Sequence, residues 1–217
     1  MFRYHNIHAL PAAAQFAHMQ EFTGKYTSKC GIAQRLIEHF FRAIESLYRR
    51  ADGGVISALE VGAGEGFSTM RLHSMLGDEI SFEASELLSE QVAAARSRNP
   101  QLAITQESVY DLQRRNDSVD LVFCLEVLEH LEKPQQALAE LARVARRYVI
   151  VSTPNEPLWR VLNMARGKYL REWGNTPGHI QHWSTRGLCN EVADRFEICA
   201  LEKPLPWSCL LLKPRAN

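Results

Sequence analysis

Residues 59–69 read Leu-Glu-Val-Gly-Ala-Gly-Glu-Gly-Phe-Ser-Thr, and no other stretch constrains the fold as much. An apolar run passes directly into three closely spaced glycines and then into a helix start. Residues 55–61 are short, apolar and partly β-branched, the pattern of an inner strand covered on both faces of a parallel sheet. Gly62, Gly64 and Gly66 permit a tight turn and let backbone N–H groups approach a ligand that a Cβ would hold off. Turn glycines of any α/β domain are the plainer reading of the same residues. The dinucleotide-binding pattern asks for the third glycine one position later, where this chain has Phe67, so a nucleotide-dependent oxidoreductase is disfavoured.

The order acid-x-G-x-G-x-G, with Glu60 as the acid, resembles the first motif of the class I S-adenosylmethionine-dependent methyltransferases, and the resemblance extends over residues 55–153. It implies an α/β fold, a Rossmann-like doubly wound sheet of seven mostly parallel strands with an antiparallel C-terminal hairpin. It also implies S-adenosylmethionine as cofactor, S-adenosylhomocysteine as product, and cofactor contacts from Glu60, Gly62, Ala63, Gly64 and Gly66. A carboxylate closing the second strand is expected to hold the ribose hydroxyls. Glu83, 17 residues past Gly66, is preferred with Ala84 beside it, and Glu86 is the competitor, placed after the strand in a helix over 87–98. A third strand over 102–106 leads to Glu-Ser-Val-Tyr-Asp-Leu, where the family often has Gly-Asp-Ala-x-Asp-Leu, so Ser108 and Val109 stand at the adenine position. Leu125, ending the fourth strand over 119–125, completes the set.

Glu126-Val-Leu-Glu129-His130 follows that strand, and a helix opening at Glu126 would put both acids and the imidazole on one face. The pentad is similar to one found in ubiquinone-biosynthesis O-methyltransferases and in metal-dependent 2′-O-methyltransferases of small-RNA ends. The second resemblance implies a divalent ion on Glu126, Glu129, His130 and a further histidine, for which His179 is the match. Three readings stand together: a metal site, a general base in His130 that takes a proton from an acceptor hydroxyl, and an ordinary helix start with a hydrogen-bonded histidine. The catalytic candidates are therefore His130 and His179, with no metal assigned.

At 217 residues and 46% hydrophobic content the chain suits a single domain with one α/β core. The expected division is N-terminal helices over 1–52, a cofactor-binding core over 55–153, an insert over 154–185, and a terminal helix and hairpin over 186–217. Lys plus Arg equals Asp plus Glu at 25 each, so no global field favours nucleic acid. Five scattered cysteines without C-x-x-C indicate neither disulfides nor a zinc site. The N-terminal residues lack a signal-peptide core, and a cytoplasmic location is expected. Thr27-Ser28 is a candidate cap for a helix running to about Arg50, Pro134 a helix start, residues 148–152 a fifth strand, and 196–201 with 207–212 the hairpin.

The insert is where substrate choice is expected. Residues 158–173 carry Trp159, Val161, Leu162, Met164, Tyr169, Leu170 and Trp173 beside Arg160, Arg166, Lys168 and Arg171, the composition of an amphipathic helix. It can close as a lid over the cofactor, pack as an ordinary helix, or contact a membrane surface. His179 and His182 follow it. The expected activity is methyl transfer to oxygen of a small or lipid-like acceptor. The alternatives are the metal-assisted RNA enzyme and a non-catalytic nucleotide-binding module.

Overall fold

The computed structural model describes residues 31–51, 53–165, 167, 169–170, 173–176 and 178–215. The expected cap at Thr27-Ser28, the N-terminal stretch, and Arg166, Lys168 and Arg171 lie outside them. Helix α1 (Gly31–Arg50) is followed by β1 (Ser57–Val61), α2 (Phe67–Leu76), β2 (Ser81–Glu86), α3 (Ser89–Arg98), β3 (Ala103–Gln106) and β4 (Val119–Leu125). A 3₁₀ turn (Leu128–His130), α4 (Pro134–Val144), β5 (Ala145–Pro154), α5 (Glu156–Ala165), α6 (Thr185–Val192), β6 (Phe196–Glu202) and β7 (Trp207–Pro214) complete the chain.

The strands form one seven-stranded sheet in the order β3-β2-β1-β4-β5-β7-β6, parallel from β3 to β5, with β7 antiparallel to both β5 and β6. This is the Rossmann-like doubly wound architecture expected from the sequence, with its terminal hairpin. Strand order reverses between β1 and β4, so a crevice opens at their carboxyl ends, where open α/β sheets bind ligands. Every residue of β4 is buried, which explains its unbroken apolar run. One face is covered by α1 and α2, with Phe40, Ile44, Leu47 and Leu72 packed on Leu121 and Ile150. The other is covered by α4 and α6, whose Leu138, Leu141 and Leu188 meet Val122 and Val149. Full burial of a side chain of this size contributes about 1.5–3 kcal/mol, so the stripe on α1 anchors that helix more than its intrinsic propensity does.

At the amino end of the sheet, Asp120 ties β4 to the entry of β1. Its Oδ2 accepts from Ile56 N, Ser57 N and Ser57 Oγ at 3.0, 3.1 and 3.1 Å, and its Oδ1 from Arg146 at 2.8 Å. Burial pushes this carboxyl up, but the hydrogen bonds from Ile56, Ser57 and Arg146 outweigh it and leave the group below its ordinary value.

Several element boundaries depart from expectation. The helix of the insert covers 156–165 rather than 158–173, because Gly167, Tyr169, Trp173 and Gly174 take positive φ, which no α-helix accommodates. Strand β5 begins at Ala145, directly after α4, rather than at Tyr148. Pro134 stands in the first turn of α4 as expected. Among the described residues no helix is long and apolar enough to cross a membrane, and Cys124, Cys189, Cys199 and Cys209 are free.

Candidate active site

The glycine turn leaves β1 at the crevice. Gly62 N and Ala63 N donate to Ser85 O, and Gly66 N to Ala63 O, so the turn is bound to β2 and to itself. Gly62 has φ +81°, and a Cβ there would run into Val127 Cγ2. Gly66 has φ +80°, and its Cβ would lie 2.9 Å from Ala95 Cα, so this glycine is required by the close approach of α3. Ala63 is wholly buried in a small cluster with Ala84, Val92, Ala95 and Ile104.

Glu60 is 1% exposed and accepts a 2.5 Å hydrogen bond from Thr69 Oγ1. Burial raises its pKa to about 7; the Ser68 and Thr69 hydroxyls pull it down and the Glu86 carboxylate pushes it up. Two acids thus converge beneath the glycine turn. Perturbed carboxyls of this kind concentrate at functional sites.

The structure corrects the placement of the ribose candidates. Glu86, not Glu83, ends β2, and it is a strand residue rather than part of a helix. Its Oε2 accepts from Gly64 N at 2.9 Å, and its Oε1 from Leu87 N and Leu88 N at 2.7 and 3.0 Å. Glu83 lies mid-strand opposite Leu59 and is paired with Arg114 at 3.0 Å. Ala84, also mid-strand, is wholly enclosed. Helix α3 starts at Ser89, so the Glu-Leu-Leu that reads as a helix start is the end of a strand and its turn. Ser108 bridges to Asp111 in a tight turn, and its Oγ accepts from Tyr110 N at 3.2 Å. Val109 is half-buried against the core. The acid here is Glu107, one position before the residue singled out, buried and held by Arg114 at 2.6 Å and Thr105 at 2.8 Å. A carboxylate at the carboxyl end of a strand, last in β2 and first after β3, was the signal that could have found both Glu86 and Glu107. Leu125 closes β4, 4% exposed.

Glu126 does not open a helix. It takes φ +57°, and its carboxylate turns toward the terminal hairpin, accepting from Trp207 Nε1 at 2.7 Å and Ser152 Oγ at 3.2 Å. The shared helical face of Glu126, Glu129 and His130 is therefore absent. Glu129 and His130 sit in the 3₁₀ turn instead, and His179 from the insert joins them, with one donor atom of each within 4.8 Å of the others. Glu129 O accepts from Ile180 N and Gln181 N at 2.8 and 2.9 Å, which docks the insert onto this turn. His130 Nδ1 donates to Gly178 O at 2.9 Å, and its Nε2 lies 3.8 Å from Glu129 Oε1. His179 Nδ1 donates to Glu156 Oε1 at 2.6 Å, and its ring meets the His130 ring edge-on at 4.9 Å. His182 stands 3.7 Å from the other Glu156 oxygen. The sequence reading missed Glu156 and Trp207, whose partners are distant in the chain.

Residues 59–151 match the family model described as a methyltransferase domain. A probable S-adenosylmethionine-dependent methyltransferase of Mycobacterium tuberculosis is 31% identical over 121 residues, covering 54% of this chain and 43% of the relative. A second, of Mycolicibacterium smegmatis, is 31% identical over 151 residues, 68% of this chain and 54% of the relative. The chain spans about half the length of the curated relatives it matches. Among solved structures, magnesium protoporphyrin IX methyltransferase from Synechocystis, with bound S-adenosylhomocysteine, superposes with a TM-score of 0.66 at 15% identity over 91% of this chain and 94% of the other. That likeness is one of fold. The glycine turn, the acids at the ends of β1 and β2, the strand order and these matches agree, and residues 59–151 form a methyltransferase domain of the class I S-adenosylmethionine-dependent kind.

Proposed function

We propose that this chain transfers a methyl group from S-adenosylmethionine to oxygen of a small or lipid-like acceptor. The bound cofactor would supply an electrophilic methyl on sulfur. The donor set at the crevice suits it: Glu86 can accept from ribose hydroxyls, Glu60 can face the amino group of the methionine end, and the turn from Gly62 to Gly66 admits close approach. The observation that carries the oxygen reading is His130. Its Nδ1–H is held by the Gly178 carbonyl, so in the neutral ring Nε2 is the basic nitrogen, the one that would take a proton from a hydroxyl. The lipid-like reading draws support from the insert and its surroundings, where Val161, Leu170, Trp173 and Ile180 are 52–74% exposed. Such a rim also suits peripheral membrane contact through residues 158–173.

Calorimetry with S-adenosylhomocysteine, against NAD as control, tests the cofactor reading; binding of NAD alone would overturn it. Glu86→Ala is expected to weaken that binding roughly 10- to 100-fold, the value of about 1.5–3 kcal/mol for hydrogen bonds to a charged group. Glu83→Ala is expected to change it far less, and the reverse ranking would return the ribose role to Glu83. Incorporation of label from methyl-labelled cofactor into a lipid extract and an aqueous small-molecule extract of the producing cells then tests the acceptor class. A second reading, a divalent ion on Glu129, His130 and His179, is favoured by both imidazoles having Nδ1 engaged by an oxygen acceptor, as metal-bound histidines do. Methyl transfer that survives exhaustive chelation argues against it.

A further inference from the structure

We propose that Glu156 is a positioning residue, holding His179 in the tautomer whose Nε2 carries the lone pair; this rests on reading the His130–His179 cluster as the acceptor end of the methyl-transfer site. The two side chains are 3% and 2% exposed, and the 2.6 Å bond between them is short, as hydrogen bonds to a carboxylate are. Free imidazole in water favours the proton on Nε2. A carboxylate fixed at Nδ1 reverses that preference, because losing the bond would leave a charge buried without its donor.

The surroundings are built to keep this geometry. Glu156 opens α5, and its own N–H donates to Trp183 O at 3.1 Å, so the carboxylate is fixed to the segment that follows His179 and His182. Trp159, one turn further along α5, stacks on the His179 ring with centroids 6.4 Å apart and planes 27° apart. Trp159 Nε1 donates to Thr176 Oγ1 at 2.8 Å, and Asn163 Nδ2 reaches the same hydroxyl at 3.2 Å and Gly174 O at 2.9 Å. At Gly174 the backbone of Arg160 leaves no room for a Cβ. One helix therefore supplies the acceptor for Nδ1–H, the wall for the ring and the brace for the loop that carries it. With the proton on Nδ1, Nε2 of the neutral ring carries the lone pair, on a ring that meets His130 edge-on. Nothing in the family motif over residues 59–151 contains Glu156 or His179.

The test is the pattern of ring nitrogen and carbon-bound proton correlations in the full chain labelled with 15N-histidine, recorded with and without S-adenosylhomocysteine. Wild type is expected to show His179 as the Nδ1–H form, and Glu156→Ala to convert it to mainly Nε2–H. Should Glu156→Ala not fold, Glu156→Gln keeps an oxygen acceptor but loses the charge, and the His179 Nδ1 proton is expected to move upfield as its bond weakens. Either Nε2–H in wild type, or a His179 pattern unchanged in the variants, overturns the assignment. Failure of the wild type to bind S-adenosylhomocysteine would sink the methyl-transfer reading while leaving the tautomer to be read, so the two failures are distinguishable. A role in packing alone would also leave label incorporation into the acceptor extract unchanged in Glu156→Gln, whereas the positioning role predicts a loss of about 100-fold.

Discussion

Asp120 and Glu60 are carboxylates enclosed by the same sheet, one at its amino end and one at its carboxyl end, and their proton affinities move in opposite directions. Burial pushes both up. At Asp120 three hydrogen bonds from Ile56 and Ser57 at the entry of β1 and one from Arg146 overcome that push, so the group stays ionised and serves as a knot between strands. At Glu60 the two hydroxyls of α2 do not, and the neighbouring Glu86 works against them. The amino end is matched for stability, whereas the carboxyl end holds unlike demands in tension, as sites that await a ligand do. An electropositive amino group arriving beside Glu60 would relieve what the protein alone leaves strained.

Three changes would break or sharpen this contrast. Asp120→Ala removes the acceptor for two backbone N–H groups, a hydroxyl and a guanidinium. It is expected to cost about 3–4 kcal/mol in urea unfolding at pH 7, less as pH falls through the lowered pKa of Asp120, where wild type loses the same contribution. At the other end the sign reverses. Because Glu60 rises from 4.5 to about 7 on folding, the native state holds more protons than the unfolded chain between those values, and wild-type stability declines as pH climbs across them. Glu60→Gln removes that decline, so the variant should gain about 3 kcal/mol on wild type between pH 5 and pH 8. Parallel pH profiles for the two proteins would show that Glu60 does not titrate in this range. Ser57→Ala, deleting the hydroxyl that donates to Asp120 Oδ2 and accepts from Asp120 N, is the smallest step, at about 1–2 kcal/mol by the same unfolding measurement.

Much of the sheet was legible in the sequence. Strand β4 was readable to the residue because both its faces are covered and nothing polar interrupts it but Asp120, whose partners stand at the amino end of the sheet. Helix α4 announced itself by Pro134 and a regular stripe. The end of β2 was not legible: Glu86-Leu87-Leu88 before Ser89 looks like a helix start, and only the contact of Glu86 with Gly64, made across the sheet, shows otherwise. Glu126 failed for a different reason. A positive φ on a non-glycine residue leaves no mark in the sequence, and the carboxylate's destination, Trp207, lies 81 residues away. The insert helix stopped early where Gly167 and Gly174 stand, a break that the regular spacing of its apolar residues concealed. His130 and His179 were found as residue types, but Glu156 was not, since nothing local links it to a histidine 23 positions on.

Because β7 runs antiparallel beside β5, its first residue rather than its last stands at the ligand end of the sheet, with Trp207 opposite Pro154. A nascent chain that has emerged through β5 holds the glycine turn and the acids of β1 and β2, yet the indole that Glu126 bonds to has not been synthesised. The surroundings of Glu126 can therefore mature only after the terminal hairpin has inserted, a long-range closure of the kind that slows folding. Interim forms would expose the β5 edge until β7 arrives, which makes this edge the point where a crowded cell would most readily divert the chain into association with a second copy.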